Sequence, residues 1–171
     1  MTITIILFTA LVLIDQVVKF NCEKGNVNNE IIHNFLSLKL SYNKGMSWGQ
    51  LSNLTPLLTV VSFLGIILLF YLCTKNNWKV NKVRATAITF ALAGCVGNFI
   101  DRFFTTIGIR DGVIDMIDLV PFNKLCSLFK LKSAIFNIAD AFLVIGLIVY
   151  AIDIIFFADW KKRRYENRYN R

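Results

Sequence analysis

"SAIFNIADAFLVIGLIVY", residues 133–150, opens the last long apolar run of the chain, and it holds Asn137 and Asp140 three positions apart near one end. The run continues to about residue 158. Three further runs of similar character occupy 2–20, 54–73 and 83–100. A hydrocarbon core about 30 Å thick is crossed by about 17–25 helical residues, so each run is long enough to span. Composition agrees: 56% of the 171 residues are hydrophobic and 18% charged, with mean hydropathy +0.56. A soluble domain has about 45–50% apolar and about 25% charged residues. The two prolines, Pro56 and Pro121, lie outside the depth of any run.

The net charge of +8 is placed asymmetrically. Lys75, Lys79, Lys82 and Arg84 surround the second connection, and residues 159–171 carry Lys161, Lys162, Arg163, Arg164, Arg168 and Arg171. Cationic segments flanking spans stay on the cytoplasmic side. Both termini are therefore expected inside, with residues 21–53 and 101–133 outside. The basic tail reads as a topology signal that also touches anionic lipid, not as a nucleic-acid surface. The N-terminal run lacks a basic n-region and an A-x-A-like site, so it reads as a retained span.

Ionisable groups inside spans are expensive, about 2.5–3.5 kcal/mol each at the centre, and are functional candidates for that reason. Asp15 and Lys19 share one face of the first span, and Asn98, Asp101 and Arg102 share one face of the third. On the expected topology these groups and Asn137 with Asp140 meet at one depth, near the outer surface. Asp140 is expected about six residues into its helix, roughly 9 Å of rise. Asp15 with Lys19, and Asn98 with Arg102, also suit interhelical hydrogen bonding. Asp153 is expected to reach for the cytoplasmic interface.

Asp140 lacks a cation within a turn of its own helix, which points to a partner elsewhere. Asp111, Asp115 and Asp118 in "RDGVIDMIDLVPF" are the candidates, on a stretch expected to lie along the membrane surface. Two carboxyls held together share a proton, and one then serves as base and the other as acid. Spacing alone does not choose among the three.

Other features carry less. Cys22, Cys73, Cys95 and Cys126 have no metal-ligand spacing, although Cys22 and Cys126 both fall outside and could pair. "LAGC" at 92–95 looks like a lipid-modification site but lies within a span, where Ala87, Ala91 and Gly94 suit close helix packing. His33 is expected at the surface. "GMSWG" at 45–49 has G-x-x-x-G spacing in a loop, where a helix-dimer reading does not apply.

"DQVVK", "NKGMSWG", "GNFIDR", "GVIDMID" and "FNIADAFLVIG" occur in the order found in bacterial lipoprotein signal peptidase (signal peptidase II), and the chain resembles that family from residue 15 to 146. The resemblance implies one membrane domain of all-α class: four transmembrane helices, a small periplasmic-side loop region with room for short strands, and a short amphipathic segment. It implies an aspartic endopeptidase of the bacterial inner membrane that cuts prolipoproteins just before their diacylglyceryl cysteine, without metal or organic cofactor, as a monomer in contact with membrane lipid. Position by position, its catalytic pair falls on Asp115 and Asp140. Asn43 and Gly45 match its substrate cradle, and Asp15, Lys19, Asn98, Asp101, Arg102, Asn137 and Ala139 match the surroundings of its pocket. Two departures stand out: Ala93 replaces a glycine, and "FFTTIGIRD" is longer than usual. A proton- or ion-coupled transporter, with charges at several depths, and a non-enzymatic scaffold are the competing readings.

Overall fold

Each apolar run forms a helix in the computed structural model, which describes residues 2–45, 54–76, 81–131 and 133–157. The helices are α1 (Thr2–Gly25), α2 (Thr55–Lys75), α3 (Lys82–Thr106) and α5 (Ile138–Ile152), the last continued by a π-helical turn at Asp153–Phe157. Among the described residues these four are long and apolar enough to cross a membrane. Pro56 sits in the first turn of α2, where its missing N–H costs nothing.

α3 is the axis of the bundle. Its mean hydropathy, 1.5, is the lowest of the four, yet 56% of its apolar window is buried against 11–17% for the others. Small residues explain both numbers. Ala87, Ala91 and Gly94 let α5 approach closely, and a Cβ on Gly146 of α5 would fall 2.6 Å from the Ala87 carbonyl oxygen. The expected small-residue seam is therefore real. Outward-facing leucines, isoleucines and phenylalanines on α1, α2 and α5 remain exposed, as lipid-facing residues do.

Beyond Gly25, Thr106 and Ile138, at one end of the bundle, lies a four-stranded antiparallel sheet in the order β1 (Asn28–Ile32), β2 (Leu36–Asn43), β3 (Val113–Leu119), β4 (Ile135–Phe136). "VIDMIDL" is thus an interior strand of this sheet. The pleat sends Ile114 and Met116 to one face and Val113 and Asp115 to the other. Ile114 and Met116 pack with Cys22 under the sheet, joined by Val18, Val27 and Leu40. Asp115 points the other way. Register pairs Ser41 with Asp115 and Asn43 with Val113, which puts all four on one face.

The amphipathic stretch expected at 113–120 is β3 itself, and a short helix, α4 (Val120–Leu128), follows it, with Leu125 and Leu128 exposed and Cys126 buried. Asn123 ties it down, accepting from the Ala134 backbone N–H at 2.7 Å and donating to Asp118 at 2.6 Å. Cys22 and Cys126 are both free thiols.

α5 begins at Ile138, later than the apolar run suggests. Ile135–Phe136 pair with Ile117 and Asp118 as β4, and Asn137 keeps extended backbone (φ −123°, ψ 177°). Asp140 is therefore the third residue of its helix, at the mouth and not six residues in. Asn137 and Asp140 form a capping box, each accepting the other's backbone N–H at 2.9 and 3.1 Å.

Candidate active site

A cavity of about 650 Å³ opens where the sheet meets the C-terminal part of α3 and the first turns of α5. Asn43, Gly45, Arg102, Asp115, Asn137 and Asp140 are among its lining residues, with Ser41 and Leu143. Six residues singled out from the sequence therefore line one cavity, although they lie on four separate segments.

Asn137 is the joint. Its Nδ2 donates to Asp115 Oδ1 at 2.7 Å, while its backbone N–H donates to Asp140 Oδ2 at 3.1 Å. One residue so fixes both carboxyls. Asn43 Nδ2 donates to the other Asp115 oxygen at 3.1 Å, and Asn98 Nδ2 to the other Asp140 oxygen at 2.8 Å. Asn43 is itself oriented by the Gly45 backbone N–H, which donates to its Oδ1 at 3.0 Å. Gly45 is the last described residue before 46–53; the rest of "GMSWG" lies outside the described residues.

Burial pushes the Asp115 carboxyl up to about 7 from the ordinary 3.8, and the negative charge of Asp140 adds to the rise. Donation from Asn43 and Asn137 and the charge of Lys19 oppose it without cancelling it. A proton is therefore held near neutral pH beside a second carboxyl. That is the requirement for paired acid–base work.

Behind the wall, away from the cavity, lies a charged layer. Lys19 Nζ sits 2.9 Å from Asp15 and 2.8 Å from Asp101, all three fully buried. The same Nζ donates to Asn98 Oδ1 at 3.3 Å. Asp15 accepts the Ala139 backbone N–H at 3.0 Å, so α1 holds the first turn of α5 directly. Ala139 must be small here, and so must Gly97: a Cβ on Gly97 would fall 2.6 Å from Asp15 Oδ2. Arg102 makes an interhelical bond, the role its place on α3 suggested. Its guanidinium lines the cavity and donates to Ser62 Oγ of α2 at 3.1 Å.

The remaining candidate acids are elsewhere. Asp111 is exposed, Asp118 is occupied by Asn123, and Asp101 is sealed behind the wall. Gln16, Gly97 and Arg110 were not singled out as site residues. Gln16 donates to Asp15 and to the Gly97 carbonyl, and Arg110 pairs with Asp101. Gly97 was visible in "GNFIDR", but the two polar partners lie across turns or helices that local spacing does not join. His33 is exposed beside Glu30. Asp153 does not reach outward for the interface; it is buried and pairs with Arg84 at 2.7 Å, because α3 passes directly beside it. Among the described residues no three acidic, histidine or cysteine side chains converge as a metal site.

Residues 7–156 match the family model of signal peptidase (SPase) II. A lipoprotein signal peptidase of Fusobacterium nucleatum is 33% identical over 165 residues, which cover 94% of this chain and 90% of that one. One from Staphylococcus haemolyticus is 31% identical over 157 residues, covering 90% and 91%. A solved bacterial membrane enzyme aligns with TM-score 0.76 at 30% identity over 91% of this chain and 88% of its own. A second gives 0.73, also at 30% identity, over 92% and 96%.

Proposed function

This chain belongs to the signal peptidase II family, and from that premise we propose that it removes signal peptides from prolipoproteins with Asp115 and Asp140 as an aspartic catalytic pair. The observation that carries this reading is the double grip of Asn137 on both carboxyls at the wall of one cavity.

The chemistry follows from their surroundings. Asp115, buried and proton-holding, is the acid; Asp140, served by Asn98 and the Asn137 N–H, is the base. Asp140 takes a proton from a water as its oxygen adds to the scissile carbonyl, and Asp115 gives its proton to the carbonyl oxygen. The resulting diol collapses as Asp140 gives its proton to the leaving nitrogen, the C–N bond breaks and a diol hydroxyl returns its proton to Asp115, so the pair again holds one proton. No step needs a metal. Asn43, Gly45 and Arg102 line the cavity as substrate contacts, and Asp15, Lys19, Asn98, Asp101 and Ala139 hold the wall in register.

The cut falls before the diacylglyceryl cysteine, whose acyl chains stay in lipid while the peptide bond meets water. A cavity at the helix ends serves both needs. The positive-inside pattern supports an inner-membrane protein with both termini in the cytoplasm and the cavity on the outer side. A single copy supplies every group named here, which supports a working monomer. Transport is less favoured: apart from the Arg84–Asp153 pair, the buried ionisable groups among the described residues gather at one depth.

Cleavage of a prolipoprotein with and without its diacylglyceryl group, by protein in nanodiscs, tests the function. Cutting of the lipidated form alone is expected. Absence of cutting by folded protein would sink the proposal. Labelling of cysteines placed in 26–30 from outside, but not in 76–79, tests the orientation.

A further inference from the structure

Lys19 faces two buried carboxylates, Asp15 and Asp101, and one ammonium cannot balance both. The second cation comes from outside the helices. Arg110 stands on the turn beyond α3, where Gly108 takes φ +77°, and its guanidinium returns to pair with Asp101 Oδ1 while lying over the Phe104 ring at 5.7 Å. Asp101 is fully buried and the Arg110 side chain is 18% exposed, so this pair is shielded from solvent.

We propose that Arg110 is a positioning residue for the carboxyl pair: by neutralising Asp101 it frees Lys19 to orient Asn98, and through Asn98 it sets Asp140. The proposal rests on the catalytic reading above. The contacts are continuous, from Arg110 to Asp101, to Lys19, to Asn98 Oδ1, and from Asn98 Nδ2 to Asp140 Oδ1. Asn98 Oδ1 also accepts from Asn137 Nδ2 at 2.9 Å, so the chain reaches the residue that grips both carboxyls.

Electrostatics gives the direction. With Arg110 the layer holds two cations and two anions. Without it, a net negative charge faces the pair, and the influence of Lys19, which favours ionised Asp115, is offset. The other charged groups at the pair are Lys44 and Arg102, across the cavity. Near Arg110 the titratable groups are Tyr42 and Asp111. None of these four replaces a cation at Asp101 among the contacts described.

The test is the pH profile of kcat for the full chain in nanodiscs with a diacylglyceryl prolipoprotein. Arg110→Ala should lower kcat several-fold at its best pH and move the alkaline limb up by about half a pH unit. Arg110→Lys should bring the limb back, and so should the double variant Asp101→Asn with Arg110→Ala, which restores neutrality without the guanidinium. If Arg110→Ala does not fold, Arg110→Gln, which keeps most of the side chain's length and removes its charge, carries the test and should move the limb up in the same direction. A fall in rate with an unmoved limb would make Arg110 a brace for the turn and overturn the proposal. An unchanged kcat and limb would overturn it too. Failure of wild type to cleave would instead count against the function itself, independently of Arg110.

Discussion

The two ends of the α3–α5 pair treat buried charge in opposite ways. At the Lys82 end of α3, Arg84 and Asp153 form an ion pair beside the seam where Gly146 meets Ala87 and Ala91, and neither lines the cavity that opens there beside Val83, Ala87 and Gly146. At the other end charges are layered: Asp15, Lys19, Asp101 and Arg110 behind, then amides, then two carboxyls facing a cavity. There Asn43, Asn98 and Asn137 each donate to a carboxyl that still faces open space, which is what a catalytic wall needs and what interhelical glue does not.

Asn137→Ala should break this contrast most severely. It removes the side-chain bond to Asp115 and the cap of α5, and cleavage should fall by about 10²–10⁴-fold, the range of a lost acid–base arrangement. The accompanying stability loss is about 1 kcal/mol, as for other N-caps. Steady-state rates with a matched thermal melt check both.

Gly97→Ala and Gly146→Ala sharpen the comparison, since each pushes a Cβ to 2.6 Å from an oxygen. Both should destabilise by about 1–3 kcal/mol, as overpacking does. Only Gly97→Ala should also cut the rate per folded molecule, about tenfold, because the oxygen it displaces belongs to Asp15, which holds Ala139.

Asp153→Asn should cost stability alone. Its partner Arg84 is 23% exposed, so the loss is nearer about 1–2 kcal/mol than the figure for a fully buried pair. Rates corrected for folded fraction should not change.

The pH dependence of the wild type probes the same wall without any substitution. Burial keeps a proton on Asp115 up to about pH 7 in the folded chain, while the unfolded carboxyl loses it near 3.8. The folded state binds more protons in that window, so this group's contribution is full below about pH 4 and is lost as pH rises through about 7. Activity should decline across the same upper limb. Asp115→Asn should flatten the stability curve there.

The sequence made the membrane architecture readable because lipid imposes long apolar runs, and its polar i, i+3 and i, i+4 spacings announced which helix faces would meet. Asn137 with Asp140 was legible for the same local reason, although the helix start was not. Ile135 and Phe136 are as apolar as a span, and only pairing with β3 makes them a strand. The partner of Asp140 was beyond local reading, since Asp115 reaches the wall through register with Ser41, seventy-odd residues away in the chain. Family resemblance named it where spacing could not. Arg84 opposite Asp153, and Arg110 opposite Asp101, likewise depend on how helices and turns dock.

The central claim is that Asp115 and Asp140 act as one unit, and a double-mutant comparison tests it most directly. Cleavage of lipidated prolipoprotein would be measured for Asp115→Asn, Asp140→Asn and the two combined, each verified as folded. Groups that share a proton fail together, so either single change should remove nearly all activity and the double should be no worse than the singles. Multiplying losses, or substantial activity in either single variant, would contradict the pair.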